Sequence, residues 1–320
     1  MNASNYIPAF GFGAKVFPQN IAFSNGIPVI NRVFYVDANS GSDTLKSGRT
    51  YKSAIKTLGK AEDLSLTFNY DMIIVAPSAD SITTEASITW DKSYISIVGA
   101  PAPVQLGQRA RIGFGSGATS PCITISGTGN RFINFKMAVE EDINVMISVT
   151  GNRNYFGNCE LAGILNSTTG DDAAARVVSM SGAEENLFEN CWIGADTINR
   201  STTNATLELA DASTRNIFRN CMFPVLADNA GALFFKAASA ADVDRYVLFQ
   251  NCMFHNAVHS TATTMTTGFS LSATLGGTVM LDACSILGAT DWSDDYTVLR
   301  GFNMPDITAA NAGFMETIAT

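Results

Sequence analysis

Between residues 123 and 287 the chain alternates two kinds of short apolar pattern. One is a run in which apolar and polar residues trade places: Ile123-Thr124-Ile125, Ile147-Ser148-Val149, Val177-Val178-Ser179-Met180, Leu207-Glu208-Leu209, Leu233-Phe234-Phe235 and Phe269-Ser270-Leu271. A period near two predicts β-strands with one buried face. The other is a recurring phrase: Tyr155-Phe156-Gly157-Asn158-Cys159-Glu160-Leu161, Leu187-Phe188-Glu189-Asn190-Cys191-Trp192-Ile193, Ile217-Phe218-Arg219-Asn220-Cys221-Met222-Phe223 and Leu248-Phe249-Gln250-Asn251-Cys252-Met253-Phe254. A fifth copy, Met280 to Ile286, keeps Cys284 and puts Ala283 where the others have Asn.

Successive cysteines from Cys159 onward are 32, 30, 31 and 32 residues apart, a period that signals a solenoid. Phe and Cys stand three apart, so both face inward only if the backbone bends between them. Asn tolerates the left-handed conformation of such a bend, which predicts a column of Asn158, Asn190, Asn220 and Asn251. Beside it the cysteines act as small buried hydrophobes, and Leu161, Ile193, Phe223, Phe254 and Ile286 fill the next inward position. Arg131 to Met137 is an earlier relative with Phe135 at the cysteine position, 24 residues before Cys159. The fold expected is all-β: a right-handed parallel β-helix of about 24–32 residues per coil, with three short strands per turn.

Ile73-Ile74-Val75 and Tyr94 to Val98 read as first rungs. Tyr51 to Leu66 places Ala54, Ile55, Leu58, Ala61 and Leu64 at helical spacing, predicting a short capping helix. The organisation expected is an N-terminal arm (1–33), a cap (34–72), the β-helix (73–300) and a C-terminal cap or tail (301–320). In the arm, Phe10, Phe12, Val16, Phe17, Ile21 and Phe23 are interleaved with Gly and Pro without a strand or helix period. These residues are the expected attachment interface, against a partner or a symmetry mate; the alternative is a cap folded back on the first coil.

Composition narrows the function. Lys+Arg 20 against Asp+Glu 29 gives a formal charge of −9, with no cationic cluster for nucleic acid. No stretch of 18 apolar residues suits a membrane span, and the N-terminus lacks a secretory signal pattern. No two cysteines have a close metal-site spacing, so they read as reduced core thiols.

The opening Phe34 to Asp43, then Lys52-Ser53-Ala54-Ile55-Lys56-Thr57-Leu58 and Met72 to Pro77, is similar to the way many phage and bacterial β-helix proteins begin. Over about residues 34 to 290 the chain resembles the pectate-lyase-like right-handed β-helix superfamily, particularly its bacteriophage virion members. The resemblance implies lyase, hydrolase, tailspike, adhesin or inert virion roles.

A hydrolase of this fold needs paired carboxylates on adjacent coils. Glu140-Glu141-Asp142, Asp171-Asp172 and Asp294-Asp295 are candidates, but all fall in predicted loops and read as solvated. Arg153, Arg176, Arg215, Arg219 and Arg245 read as scattered around turns. His255 and His259 read as a surface loop, and Gly113 to Gly117 as a turn. The resulting expectation is a non-enzymatic structural protein of a phage virion, a capsid decoration or head-fibre protein attached through its arm. It has no catalytic, cofactor or metal site. Its partners are two like copies in a homotrimer, the major capsid protein or another virion protein, and a host-surface glycan, with neither nucleic acid nor membrane. The rival is a tailspike-like protein that binds or depolymerises polysaccharide with Trp192 and Trp292 beside Asp171, Asp172 or Asp294.

Overall fold

The computed structural model describes residues 31–78, 85–257 and 263–308. Three parallel sheets run the length of the molecule. Sheet 1 has ten strands, from Val33–Val36 through Tyr155–Gly157 and Leu187–Glu189 to Leu299–Phe302. Sheet 2 runs from Arg111–Phe114 to Ser285–Leu287, and sheet 3 has eight strands from Ile88–Trp90 to Ala289–Ser293. The chain visits sheets 1, 2 and 3 in turn, so each strand pairs with its equivalent one coil away.

The bend between sheets 1 and 2 is made as the repeated phrase predicts. Asn134, Asn158, Asn190, Asn220 and Asn251 all have φ between 51° and 61°, and Ala283 takes the same conformation on the last rung. Two links of the column are side-chain hydrogen bonds, Asn158 Nδ2 to Asn134 Oδ1 (3.0 Å) and Asn220 Nδ2 to Asn190 Oδ1 (3.2 Å). All six cysteines are free and buried, and burial pushes the Cys122 thiol up to about 12.

A second asparagine column lies at the opposite end of the sheet 1 strands. Asn130, Asn154, Asn186 and Asn216 are buried; the side-chain oxygens of Asn154, Asn186 and Asn216 each accept the backbone N–H of the Asn one coil before, at 2.9–3.0 Å, and that of Asn130 accepts from Ile95 N at 3.0 Å. These bonds satisfy amides that the turn takes out of the sheet ladder. Inside the solenoid, Phe132, Phe156, Phe188, Phe218 and Phe249 stack with ring centroids 4.3–5.0 Å apart. One coil spacing thus equals one aromatic contact distance.

Residues 51 to 66 do not form one helix. Ile55 pairs with Val36 as a β-bridge, leaving a 3-10 turn at Tyr51–Ser53 and a helix at Leu58–Leu64 capped by Thr57. That helix covers the first coils with Leu58 and Ala61. Glu85 fastens its start: Oε1 accepts from Leu58 N (2.6 Å) and Oε2 from Gly59 N (3.2 Å). Burial, with a contribution from the Asp43 charge, raises Glu85 to about 7 against the hydrogen bonds that favour its ionised form. A carboxyl raised on folding stabilises fully below its unfolded pKa near 4.5, and that stability is lost as pH rises through about 7. From this group the chain should be more stable at pH 5 than at pH 8 by about 2 kcal/mol, and Glu85→Gln should flatten the difference. An unchanged pH slope in the variant would assign the effect elsewhere.

The outward face of sheet 1 carries an apolar stripe. In register order it runs Tyr35, Ile74, Val98 and Ile133, then shifts by one outward position to Tyr155, Leu187, Ile217, Leu248 and Met280. All are half-buried. Beside the second half runs a polar row linked by hydrogen bonds, Arg219 to Glu189 and Gln250, and Gln250 to Asp282. Trp292 departs from the sequence expectation: it is buried, edge-on to Phe254 and Phe269 on the last rung.

Candidate functional site

Sheet 3 is where polar chemistry gathers. Its strands point Thr89, Thr124, Ser148, Ser179, Glu208, Lys236 and Ser270 outward in one register column. Each is the polar member of an otherwise apolar strand, so the alternation that buries the core also builds this row. Asp294 extends it, accepting from Ser270 Oγ (2.9 Å) and Leu271 N (2.8 Å).

The centre of the face is ionic. Arg176 opens its strand and is buried to 4% exposure, so it is not one of a set scattered around turns. Its guanidinium grips Glu208 through Nε (2.8 Å) and Nη2 (3.3 Å), and Lys236 Nζ approaches the same carboxylate at 2.9 Å. Burial alone would raise Glu208, but the bonds from Arg176 and Lys236 outweigh it and hold the carboxyl below its ordinary range. Behind Arg176 sits the fully buried Arg200, bonded to Asn204 and Thr206; burial and the neighbouring Arg176 charge lower it to about 9.

At the leading edge of sheet 3, where chain arrives from sheet 2, three loops surround a cavity of about 410 Å³ lined by Ser120, Asp142, Asn144, Thr168 and Asp172 among others. The sequence reading placed both aspartates in solvated loops. They do lie in loops, but those loops belong to adjacent coils, and the coiling brings the two carboxylates to one cavity. Asp172 is held by Ala174 N (2.7 Å) and Asn144 Nδ2 (2.9 Å). Asp142 accepts from Thr169 Oγ1 at 3.1 Å. The Asp172 loop continues directly into the strand of Arg176, and Asn204 ties it down by donating to the Gly170 and Asp172 carbonyls.

Other sequence candidates are dispersed. Asp171 is exposed and does not line the cavity. Asp295 caps its own turn through Thr297 N. Arg153 pairs with Glu185, Arg215 with Glu184 and Glu185, and Arg219 with Glu189. Trp192 faces outward on sheet 2, in register with Glu160 and Met222. His255 lies within the strand Met253–Asn256 rather than in a loop, because pairing with Pro224 extends that strand; His259 lies outside the described residues. Arg111–Phe114 is a strand of sheet 2, so the turn expected at Gly113 starts only after Phe114. The attachment residues Phe10, Phe12, Val16, Phe17, Ile21 and Phe23 also lie outside the described residues. Among the described residues no group of three or more His, Cys, Asp or Glu is placed to hold a metal ion, and no helix is long and apolar enough to cross a membrane.

The coil of three parallel sheets has solved counterparts. The chain has the pectate-lyase-like right-handed parallel β-helix fold. It is similar to a pectate lyase, Pel9A, with TM-score 0.57 at 15% identity over 82% of this chain, spanning 64% of that structure. A pectin methylesterase mutant in complex with a hexasaccharide matches with TM-score 0.53 at 14% identity, over 85% of this chain and 81% of that one. The pectin methylesterase of Aspergillus niger matches with TM-score 0.51 at 12% identity, over 90% of each chain. No protein-family model and no curated protein matches the sequence. At these identities the likeness is one of fold. The expectation of a chain without catalysis does not stand against these matches, which are a pectate lyase and two pectin methylesterases.

Proposed function

We propose that the chain binds a polysaccharide across the outward face of sheet 3 and cleaves it at the Asp142–Asp172 cavity. The observation that carries this reading is the meeting of two carboxylates from adjacent coils beside a face of hydroxyls and paired charges. Hydrolysis of a glycosidic bond requires one carboxyl to protonate the leaving oxygen and another to activate water or attack the sugar. Asp172, fixed by two donors, suits the base. Asp142, held by the Thr169 hydroxyl on the adjacent coil, supplies the second carboxyl. Glu208 and Lys236 present an acceptor and a donor to sugar hydroxyls and ring substituents, and the buried Arg176 holds the Glu208 carboxylate in place beneath them. Reducing-end release from a panel of pectin, alginate and bacterial capsular polysaccharides tests the proposal. Cleavage of one member is the expected result; neither binding nor cleavage of any would overturn it.

A phage virion location and a homotrimeric state belong to the same proposal, and the sheet 1 stripe favours the second of these. Nine half-buried apolar side chains on one outward face form the kind of surface that a like subunit covers. Light scattering on the purified chain should then report an oligomer that Ile217→Lys dissociates.

A further inference from the structure

Sheet 3 has a second edge, where its strands hand the chain on to sheet 1. The turn there takes a left-handed residue on successive coils: Tyr94 (φ 62°), Gly129 (69°), Arg153 (57°), Glu185 (58°) and Arg215 (54°). Such a conformation suits Gly or Asn and is costly for a bulky side chain. At the N-terminal end of this corner three aromatic residues adopt it, Tyr94 joined by Phe68 (φ 62°) and Tyr70 (φ 53°).

Core packing does not account for them. Phe68, Tyr70 and Tyr94 are 68%, 42% and 37% exposed. They cluster outside the fold, with Phe68 and Tyr94 ring centroids 5.1 Å apart at 31° and Tyr70 and Tyr94 6.0 Å apart at 56°. The next rung makes room for the Tyr94 ring, since a Cβ on Gly129 would come within 2.7 Å of it. A polar side chain accompanies the rings: Asn69 stands between two of them in the chain and bonds to Asn31 and Asp71. Tilted, exposed rings beside side-chain amides match the two-sided chemistry of a pyranose, whose C–H face stacks on an aromatic ring while its hydroxyls reach polar groups at the edge.

The place of the cluster adds to its chemistry. Ser120, at the cavity, precedes the strand Ile123–Ile125, which pairs with Ile88–Trp90, the strand that leads to Tyr94. The cavity and the aromatic corner therefore border the same part of sheet 3 on opposite edges, separated by strands of a few residues, roughly 10–20 Å, with Thr89 and Thr124 facing outward between them.

We infer that Phe68, Tyr70 and Tyr94 form a sugar-stacking subsite that holds the polysaccharide at one edge of sheet 3 while it is cut at the other. This inference rests on the proposed function, and its test separates the two. Affinity electrophoresis through gels containing pectin, alginate or capsular polysaccharide would compare the wild type with Phe68→Ala, Tyr94→Asn and Tyr94→Phe. Asn suits the turn backbone, so Tyr94→Asn removes the ring without straining the fold, and a melt checks that. Both ring deletions should bind about tenfold more weakly, with KM raised and kcat little changed, while Tyr94→Phe stays near the wild type. A wild type that cleaves, with ring-deleted variants of undiminished affinity, would overturn the subsite alone. A wild type that neither binds nor cleaves would overturn both readings.

Discussion

Asp172→Asn should reduce polysaccharide cleavage by about a thousandfold or more, because it removes one of two groups between which the proton transfers are divided. The substitution is nearly isosteric. Its side-chain oxygen can still accept from Ala174 N or Asn144 Nδ2, so the loop that leads to Arg176 should keep its shape and the melting temperature should move little. Affinity for the polysaccharide should persist, since the ionic face and the aromatic corner are untouched. Asp142→Asn should give a comparable loss, and the double variant little more, as expected for groups that act as a unit. A cleavage rate within tenfold of the wild type in Asp172→Asn would remove the cavity from the chemistry.

Phe188→Ala should destabilise the chain by about 3–5 kcal/mol. The ring is fully buried between Phe156 at 4.3 Å and Phe218 at 4.8 Å, and regular coils on both sides hold its neighbours at fixed spacing. Little collapse into the hole is possible. In a solenoid each coil touches mainly its neighbours, so the loss should first appear as weakened coupling between the two halves of the stack. Denaturant unfolding followed by circular dichroism should show a lower midpoint, or two transitions where the wild type has one. A change under 1 kcal/mol would mean that the aromatic column is not the main support of the coil.

The period of the fold was readable because an inward position in a coil of fixed shape admits few residues. Phe188, Asn190 and Cys191 each answer a separate demand: a stacking ring, a left-handed bend and a small buried group. The second asparagine column was equally regular, with Asn154, Asn186 and Asn216 each two residues before a stacked Phe. It was missed because a turn Asn gives no sign of whether its amide reaches the next coil. Capping was harder to judge: Ile55 kept a helical spacing yet served a bridge to Val36, a tertiary preference that local pattern does not express. The site was the least legible part. Asp142 and Asp172 stand in loops of unequal length, and nothing in their spacing of 30 residues marks them as neighbours except the coil itself. Glu208 and Lys236 were visible as lone charges in apolar strands, but their partnership with Arg176 needed the register. Trp292 misled in the opposite sense, since the last rung turns it inward to close the stack.

The central claim, a polysaccharide lying across sheet 3, is tested most directly by a crystal structure of the Asp172→Asn chain with an oligosaccharide from whichever polysaccharide the wild type binds. The account predicts sugar density from the Asp142 cavity across Thr124 towards Tyr94, with a ring stacked on the aromatic corner. Sugar bound on sheet 2 beside Trp192, or along the apolar stripe of sheet 1 with sheet 3 bare, would contradict it.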